Sequence, residues 1–139
     1  MKSLFAAFAL TGVAMLSAGT AMAQDAAKGE AVFKKCMACH RVGPDAKNLV
    51  GPILNGVVGR TAGKVEGYKY SDINHNAGEA GLTWTEDNIV KYLADPQGFL
   101  KAFLTEKGKA DKAVGATKMA FKLPNEQERK DVVAFLKTK

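Results

Sequence analysis

Cysteine, histidine and tryptophan are scarce in this chain of 139 residues, which has two, two and one of them. With so few ligating side chains, a structural zinc site would need Cys36, Cys39, His40 and, as its only available fourth ligand, His75. No stretch reaches the roughly 20 consecutive apolar residues that span a bilayer. No run of alternating apolar and polar residues marks a strand, so the strand-helix alternation that accompanies a thioredoxin-like C-x-x-C is missing. Internal repeats are absent too. Acidic residues are outnumbered, 14 against 20 lysines and arginines.

What is present centres on Cys36-Met37-Ala38-Cys39-His40. A C-x-x-C-H run is the attachment site of a c-type haem. Two thiols three positions apart can each form a thioether with one of the two vinyl groups on one porphyrin edge, and the next residue then offers its imidazole to the iron from one face. Both cysteines of the chain are used in this way.

The N-terminus fits export. Met1-Lys2 is a short positive start, residues 4–16 are mostly apolar, and Ala21-Met22-Ala23 has the small-x-small pattern of a signal-peptidase site. The apolar run is too short for a membrane span, although a retained anchor is the other reading of it. Cleavage after Ala23 divides the chain into a signal peptide, 1–23, and a single domain, 24–139, that begins at Gln24. That domain is expected to be soluble, not membrane-embedded, and periplasmic. The periplasm is oxidising, so both thiols must stay reduced until haem is attached. The domain carries 19 basic and 14 acidic residues, with the positive excess in its first and last thirds.

An electron-carrying haem iron usually has a second protein ligand. Met1, Met15 and Met22 leave with the leader, and Met37 lies on the His40 side of the ring, which leaves Met119 and His75. Met119 lies in Gly115-Ala116-Thr117-Lys118-Met119-Ala120-Phe121, a segment of small residues without regular periodicity. A lone methionine more often fills a core, but here an iron needs a partner. His75, in the polar run Asn74-His75-Asn76, reads as a solvated side chain.

The rest reads as all-α, with helices and loops wrapped around a flat apolar cofactor. Asp25 is an N-cap for a helix running toward Cys36, with Ala31 and Val32 facing inward. Thr83-Trp84-Thr85-Glu86 fits a capping box ahead of Ile89, Val90, Tyr92 and Leu93. Asp95-Pro96 ends that helix and starts another, with Pro96 at its first position, and Phe99, Leu100, Phe103 and Leu104 recur along it. Asn125 with Glu128 opens a last helix bearing Val132, Val133, Phe135 and Leu136. Between Arg41 and Leu82, glycines and prolines break every period, so loops are expected there. So long a loop is unusual in a compact domain, unless it packs on the porphyrin.

These motifs, in this order, resemble a class I cytochrome c, and within that family the cytochromes c2 of purple phototrophic bacteria. The resemblance covers nearly all of 24–139. It rests on Cys36-Met37-Ala38-Cys39-His40, on 50–60 (Val-Gly-Pro-Ile-Leu-Asn-Gly-Val-Val-Gly-Arg), on Gly67-Tyr68-Lys69-Tyr70-Ser71 and on Leu82-Thr83-Trp84. Thr117-Lys118-Met119 and 131–136 complete it. The resemblance implies the class I cytochrome c fold with one covalent haem c, whose iron lies between His40 and Met119. It implies that the Pro52 carbonyl bonds the second ring nitrogen of His40, and that Arg60, Tyr70 and Trp84 hydrogen-bond a buried haem propionate. It further places the Tyr92 hydroxyl near the Met119 sulfur, a buried water near Asn74, Thr117 at the cofactor, and Gly29 against Phe135 where the terminal helices cross. The 23 positions from Pro96 to Met119 exceed the shortest mitochondrial-type spacing, which leaves the path of that loop open.

With both axial positions filled, the iron can do little but change oxidation state, and the chain is not expected to be an enzyme. The expected role is a monomeric one-electron carrier. By resemblance, it runs from a quinol-oxidising cytochrome bc complex to a photosynthetic reaction centre or a terminal oxidase. Lys34, Lys35, Lys118 and Lys122 would face acidic docking surfaces on those membrane complexes, and no nucleic-acid role is expected. The competing readings are a haem enzyme or ligand-binding sensor with an open sixth position, and a redox subunit fixed to a larger enzyme.

Overall fold

A computed structural model describes residues 24–139, and the expected leader, 1–23, lies outside the described residues. The architecture is all-α. The described residues form five helices: α1 (Ala26–Phe33), α2 (Asp72–Glu79), α3 (Glu86–Ala94), α4 (Pro96–Glu106) and α5 (Glu126–Leu136). A 3₁₀ turn, Ala110–Lys112, follows α4. Among the described residues, extended pairing is limited to one isolated bridge between Thr61 and Thr83.

The two terminal helices cross in direct contact. Asp25 caps α1, its carboxylate accepting from the amides of Ala27 and Lys28, while its own amide donates to Asp131 Oδ1 of α5 at 2.9 Å. A Cβ on Gly29 would lie 1.9 Å from the Asp131 carbonyl oxygen and 2.9 Å from Phe135 Cβ. Only a glycine admits α5 this closely, as expected for the Gly29–Phe135 crossing. The rings of Phe33 and Phe135 meet 5.2 Å apart beside it. Val32 is buried as expected, whereas Ala31, expected to face inward, is exposed.

Helix α5 packs on α3, α3 on α4, and α4 on α2. Asn125 caps α5 by accepting from the Glu128 amide. The Glu128 side chain completes no reciprocal box, because it is paired with Lys35 at 2.9 Å. The cap of α3 lies two residues later than its sequence suggests: Thr85, not Thr83, accepts from the Asn88 amide. Thr83 contributes its carbonyl to the Asn88 side chain instead. Asp95 separates α3 from α4, with Pro96 at the start of α4, where its missing N–H costs nothing.

The loop expected over 41–82 is interrupted by α2, which is a correction. Asp72-Ile73-Asn74-His75-Asn76-Ala77-Gly78-Glu79 is mostly polar, and only Ile73 and Ala77, one turn apart, carry an apolar stripe. Both are fully buried. Two residues give too weak a period to read, and the helix is held by packing. Gly78 permits it, since a Cβ there would stand 2.1 Å from the Ala62 carbonyl oxygen. His75 is exposed on this helix, away from the core.

Candidate functional site

Cys36, Cys39 and His40 follow α1 in a run of turns. The amides of Cys39 and His40 both donate to the Cys36 carbonyl, at 3.1 and 2.9 Å. Arg41 secures this turn by donating from Nη1 to the carbonyls of Met37 and His40. The returning chain is fixed by the Gly51 amide, which donates to the Cys39 carbonyl at 2.9 Å. This places the Pro52 carbonyl 2.7 Å from His40 Nδ1. With Nδ1 engaged, Nε2 is the nitrogen left for another partner.

Gly51 has a second task. A Cβ at this position would lie 2.4 Å from His40 Cε1 and 2.8 Å from both ring nitrogens. The glycine backbone therefore lies flat against the imidazole, a role the sequence analysis does not assign. The pattern Gly51-Pro52 shortly after a histidine is the signal for it. Burial holds the His40 pKa below 6.5, against the opposing pull of the Pro52 carbonyl, so the ring favours its neutral, ligating form.

One cavity of about 410 Å³ collects the residues that the sequence assigns to the haem and its iron. Cys36, Cys39, His40, Pro52, Arg60, Tyr70, Asn74, Trp84, Tyr92, Thr117 and Met119 all line it. Phe33, Leu54, Val57, Ile89, Leu93 and Val132 contribute apolar wall. His75 is not among the lining residues.

On the polar side, Arg60 donates from Nη1 to the Asn55 carbonyl and from Nη2 to that of Ile53, at 3.0 and 3.1 Å. The Tyr70 hydroxyl accepts from the Val65 amide at 3.1 Å, which leaves its own proton free to donate. Burial raises the Tyr70 pKa, partly offset by the Val65 amide and by Arg60. Tyr68, given no role by the sequence analysis, packs edge-on to Tyr70 at 4.7 Å and donates to the Val50 carbonyl at 2.6 Å. Trp84 and Tyr92 meet at 4.7 Å, and Phe99 stacks beyond Trp84. Burial pushes the Tyr92 hydroxyl up to about 12 despite a hydrogen bond with the Thr117 side chain. Thr117 Oγ1 also accepts from the Met119 amide at 3.3 Å.

The arrangement fits a covalently bound haem. Both thiols are free and half-buried at the cavity wall. Burial, reinforced by Cys39 and opposed by Lys35, raises the Cys36 pKa to about 11, so that thiol is protonated at neutral pH. An imidazole with one committed nitrogen lies beside the thiols. Asn74 leaves its buried Oδ1 without a protein donor, an acceptor that calls for a bound water or another polar partner in the cavity. An apolar slot with two thiols, an oriented imidazole and a cationic end is the complement of a flat, dianionic porphyrin.

Fold and site thus define an all-α protein built around a thioether-linked haem. Comparison with known proteins agrees: the family model described as Cytochrome c matches residues 26–139. Cytochrome c2 iso-1 of Rhodospirillum centenum is 69% identical over 114 residues, covering 82% of this chain and 95% of the relative. A cytochrome c2 of Rhodopseudomonas palustris is 68% identical over 123 residues, covering 88% and 86%. The solved structure of cytochrome c2 from Rhodospirillum centenum superposes with a TM-score of 0.81 at 69% identity, over 82% of this chain and 97% of that one. The chain belongs to the cytochrome c family, and these relatives are cytochromes c2. It carries one covalently bound haem c at Cys36 and Cys39 and is an electron carrier.

Proposed function

We propose that this chain, exported by a cleaved 1–23 signal, is a soluble, monomeric periplasmic one-electron carrier with no enzymatic activity. In this reading His40 and Met119 hold the haem iron from opposite faces, and the haem supplies a reversible Fe(II)/Fe(III) couple. The observation that carries the reading is the convergence of Cys36, Cys39, His40 and Met119 on one cavity. The Pro52 carbonyl fixes the His40 tautomer and raises its basicity. Tyr92 and Thr117 hold the backbone beside the Met119 sulfur. Arg60, Tyr70 and Trp84 accommodate a propionate whose charge would otherwise be costly to bury, and Asn74 holds a water. A thioether ligand and a buried site both favour Fe(II) and raise the potential.

Electrons come from a quinol-oxidising cytochrome bc complex and leave to a photosynthetic reaction centre or a terminal oxidase, docked through acidic faces. Of the lysines assigned to docking, Lys34 has no carboxylate partner among the described residues. Lys35 is paired with Glu128 at 2.9 Å and Lys122 with Asp95 at 3.1 Å. Lys118 donates to the Lys69 carbonyl and lies over the Tyr68 ring. No helix among the described residues is long and apolar enough to cross a membrane. The test is Met119→Ala: the weak far-red sulfur-to-iron band of the oxidised protein should vanish and the potential should fall. Survival of the band would remove Met119 as ligand. Stopped-flow mixing with isolated bc complex, reaction centre and oxidase at two ionic strengths tests the partners. Fast, salt-sensitive transfer is expected, and no transfer to any of them would overturn this part of the reading.

A further inference from the structure

The segment that carries Met119 has few backbone anchors. Among the described residues, no backbone–backbone hydrogen bond joins 114–122 to another part of the fold. The flanking ties are Ala113 to Ala110 on one side and Leu123 to Leu93 on the other. Side chains hold the intervening stretch, and one of them grips it at two points. Gln97, the second residue of α4, accepts from the Thr117 amide through Oε1 at 2.7 Å and donates from Nε2 to the Gly115 carbonyl at 3.0 Å. A primary amide used this way pairs with the chain as a neighbouring strand would, satisfying one donor and one acceptor two residues apart. The clamp closes two residues before Met119. Half-buried Gln97 sits directly after Pro96, whose fixed φ sets the start of α4, so the amide projects from a rigid base.

We infer that Gln97 is a positioning residue for the iron's sulfur ligand, an inference that rests on Met119 being that ligand. Its amide holds the 115–117 backbone so that Met119 stays presented to the cavity, and thereby resists displacement of the sulfur by an incoming ligand. The link is thermodynamic. When an external ligand takes the sulfur's place, the 115–119 segment must move and the clamp opens, so the clamp's free energy is subtracted from that ligand's affinity. Asn76, which donates to the Lys112 carbonyl at 3.0 Å, ties the same connection farther from Met119 and outside this pairing.

The test is a spectroscopic titration of the oxidised holoprotein with imidazole. Loss of two hydrogen bonds in Gln97→Ala should tighten imidazole binding by about 10- to 100-fold. Gln97→Glu, which keeps the acceptor for Thr117 and loses the donor to Gly115, should fall between the two. Asn76→Ala should match wild type. Amide exchange at Thr117 should accelerate in Gln97→Ala while the helical amides of α5 keep their protection. Met119→Ala calibrates the experiment: if it binds imidazole no more tightly than wild type, the ligand assignment fails and the inference fails with it. If Met119→Ala binds tightly while Gln97→Ala and Gln97→Glu both match wild type, the clamp inference alone is overturned. Should Gln97→Ala not fold, Gln97→Glu decides the question by the same titration.

Discussion

Gly51→Ala should loosen His40, the proposed iron ligand, without replacing any proposed ligating atom. The glycine's φ is not in the left-handed region, so alanine is permitted by the backbone and only the space decides. The new Cβ would meet His40 Cε1 at 2.4 Å, where contact normally begins at about 3.4 Å, so ring or chain must give by about 1 Å. A shift of that size carries the 2.7 Å bond between His40 Nδ1 and the Pro52 carbonyl beyond hydrogen-bonding range. Overpacking costs about 1–3 kcal/mol, and the lost hydrogen bond about 1 kcal/mol more. The sum, about 2–4 kcal/mol, is readable by guanidinium unfolding of the oxidised holoprotein, followed through Trp84 fluorescence, which haem quenches in the native state. The weakened orientation of His40 should also raise the potential, because the Pro52 carbonyl no longer increases ligand basicity. A Gly51→Ala protein within about 0.5 kcal/mol of wild type, with an unchanged potential, would refute the claim that this glycine is a seat for the imidazole.

Gly29→Ala should lower the melting temperature, because its Cβ would overlap the Asp131 carbonyl oxygen. Overpacking of about 1–3 kcal/mol outweighs the roughly 1 kcal/mol that alanine gains in helix propensity, and a variant more stable than wild type would contradict the crossing. Burial raises Tyr92 to about 12 and also raises Tyr68 and Tyr70 above the ordinary value of 10. The unfolded chain therefore loses these protons first, and stability should decline as pH rises from 10 to 12, by up to about 3 kcal/mol for Tyr92. Denaturation midpoints across that range check the slope, and an absorbance titration of Tyr92→Phe should lack the latest-ionising phenol. Removing Lys35 and Glu128 together, as Lys35→Gln with Glu128→Gln, should leave partner reduction rates at low salt unchanged, since the pair sums to zero charge. Lys34→Glu with Lys118→Glu should slow them and flatten their salt dependence, and equal effects in the two doubles would show that net charge at this face does not steer docking.

Helices α1, α3, α4 and α5 are legible in the sequence because each pairs a capping signal with a recurring apolar stripe: Asp25 with Val32, the Thr83–Glu86 run (whose cap falls at Thr85 rather than Thr83) with Ile89 and Leu93, Pro96 with Leu100 and Leu104, Asn125 with Val132 and Leu136. Helix α2 is not legible, because Ile73 and Ala77 are its only buried apolar side chains and its stability comes from the chain around Ala62 and from α4. The site is legible to an unusual degree because thioether attachment constrains spacing: Cys36, Cys39 and His40 are contiguous, and the small set of methionines and histidines narrows the second ligand. Less visible are residues that act through the backbone. Gly51 is read as part of a motif, but its fit against His40 is a matter of 2.4 Å and appears only in three dimensions. Gln97 is one polar residue among many, half-buried in the first turn of α4, and its partners at Gly115 and Thr117 lie about twenty positions away. The path from Pro96 to Met119, open from the sequence, runs through α4 and the 3₁₀ turn Ala110–Lys112 before Gln97 captures it.

The central claim, that nitrogen from His40 and sulfur from Met119 leave no coordination position open, is tested most directly by mixing the reduced holoprotein with carbon monoxide at neutral pH. Double ligation predicts a spectrum that does not change on the time scale of mixing, with Met119→Ala binding promptly. Rapid and complete carbon monoxide binding by the wild-type protein would contradict it.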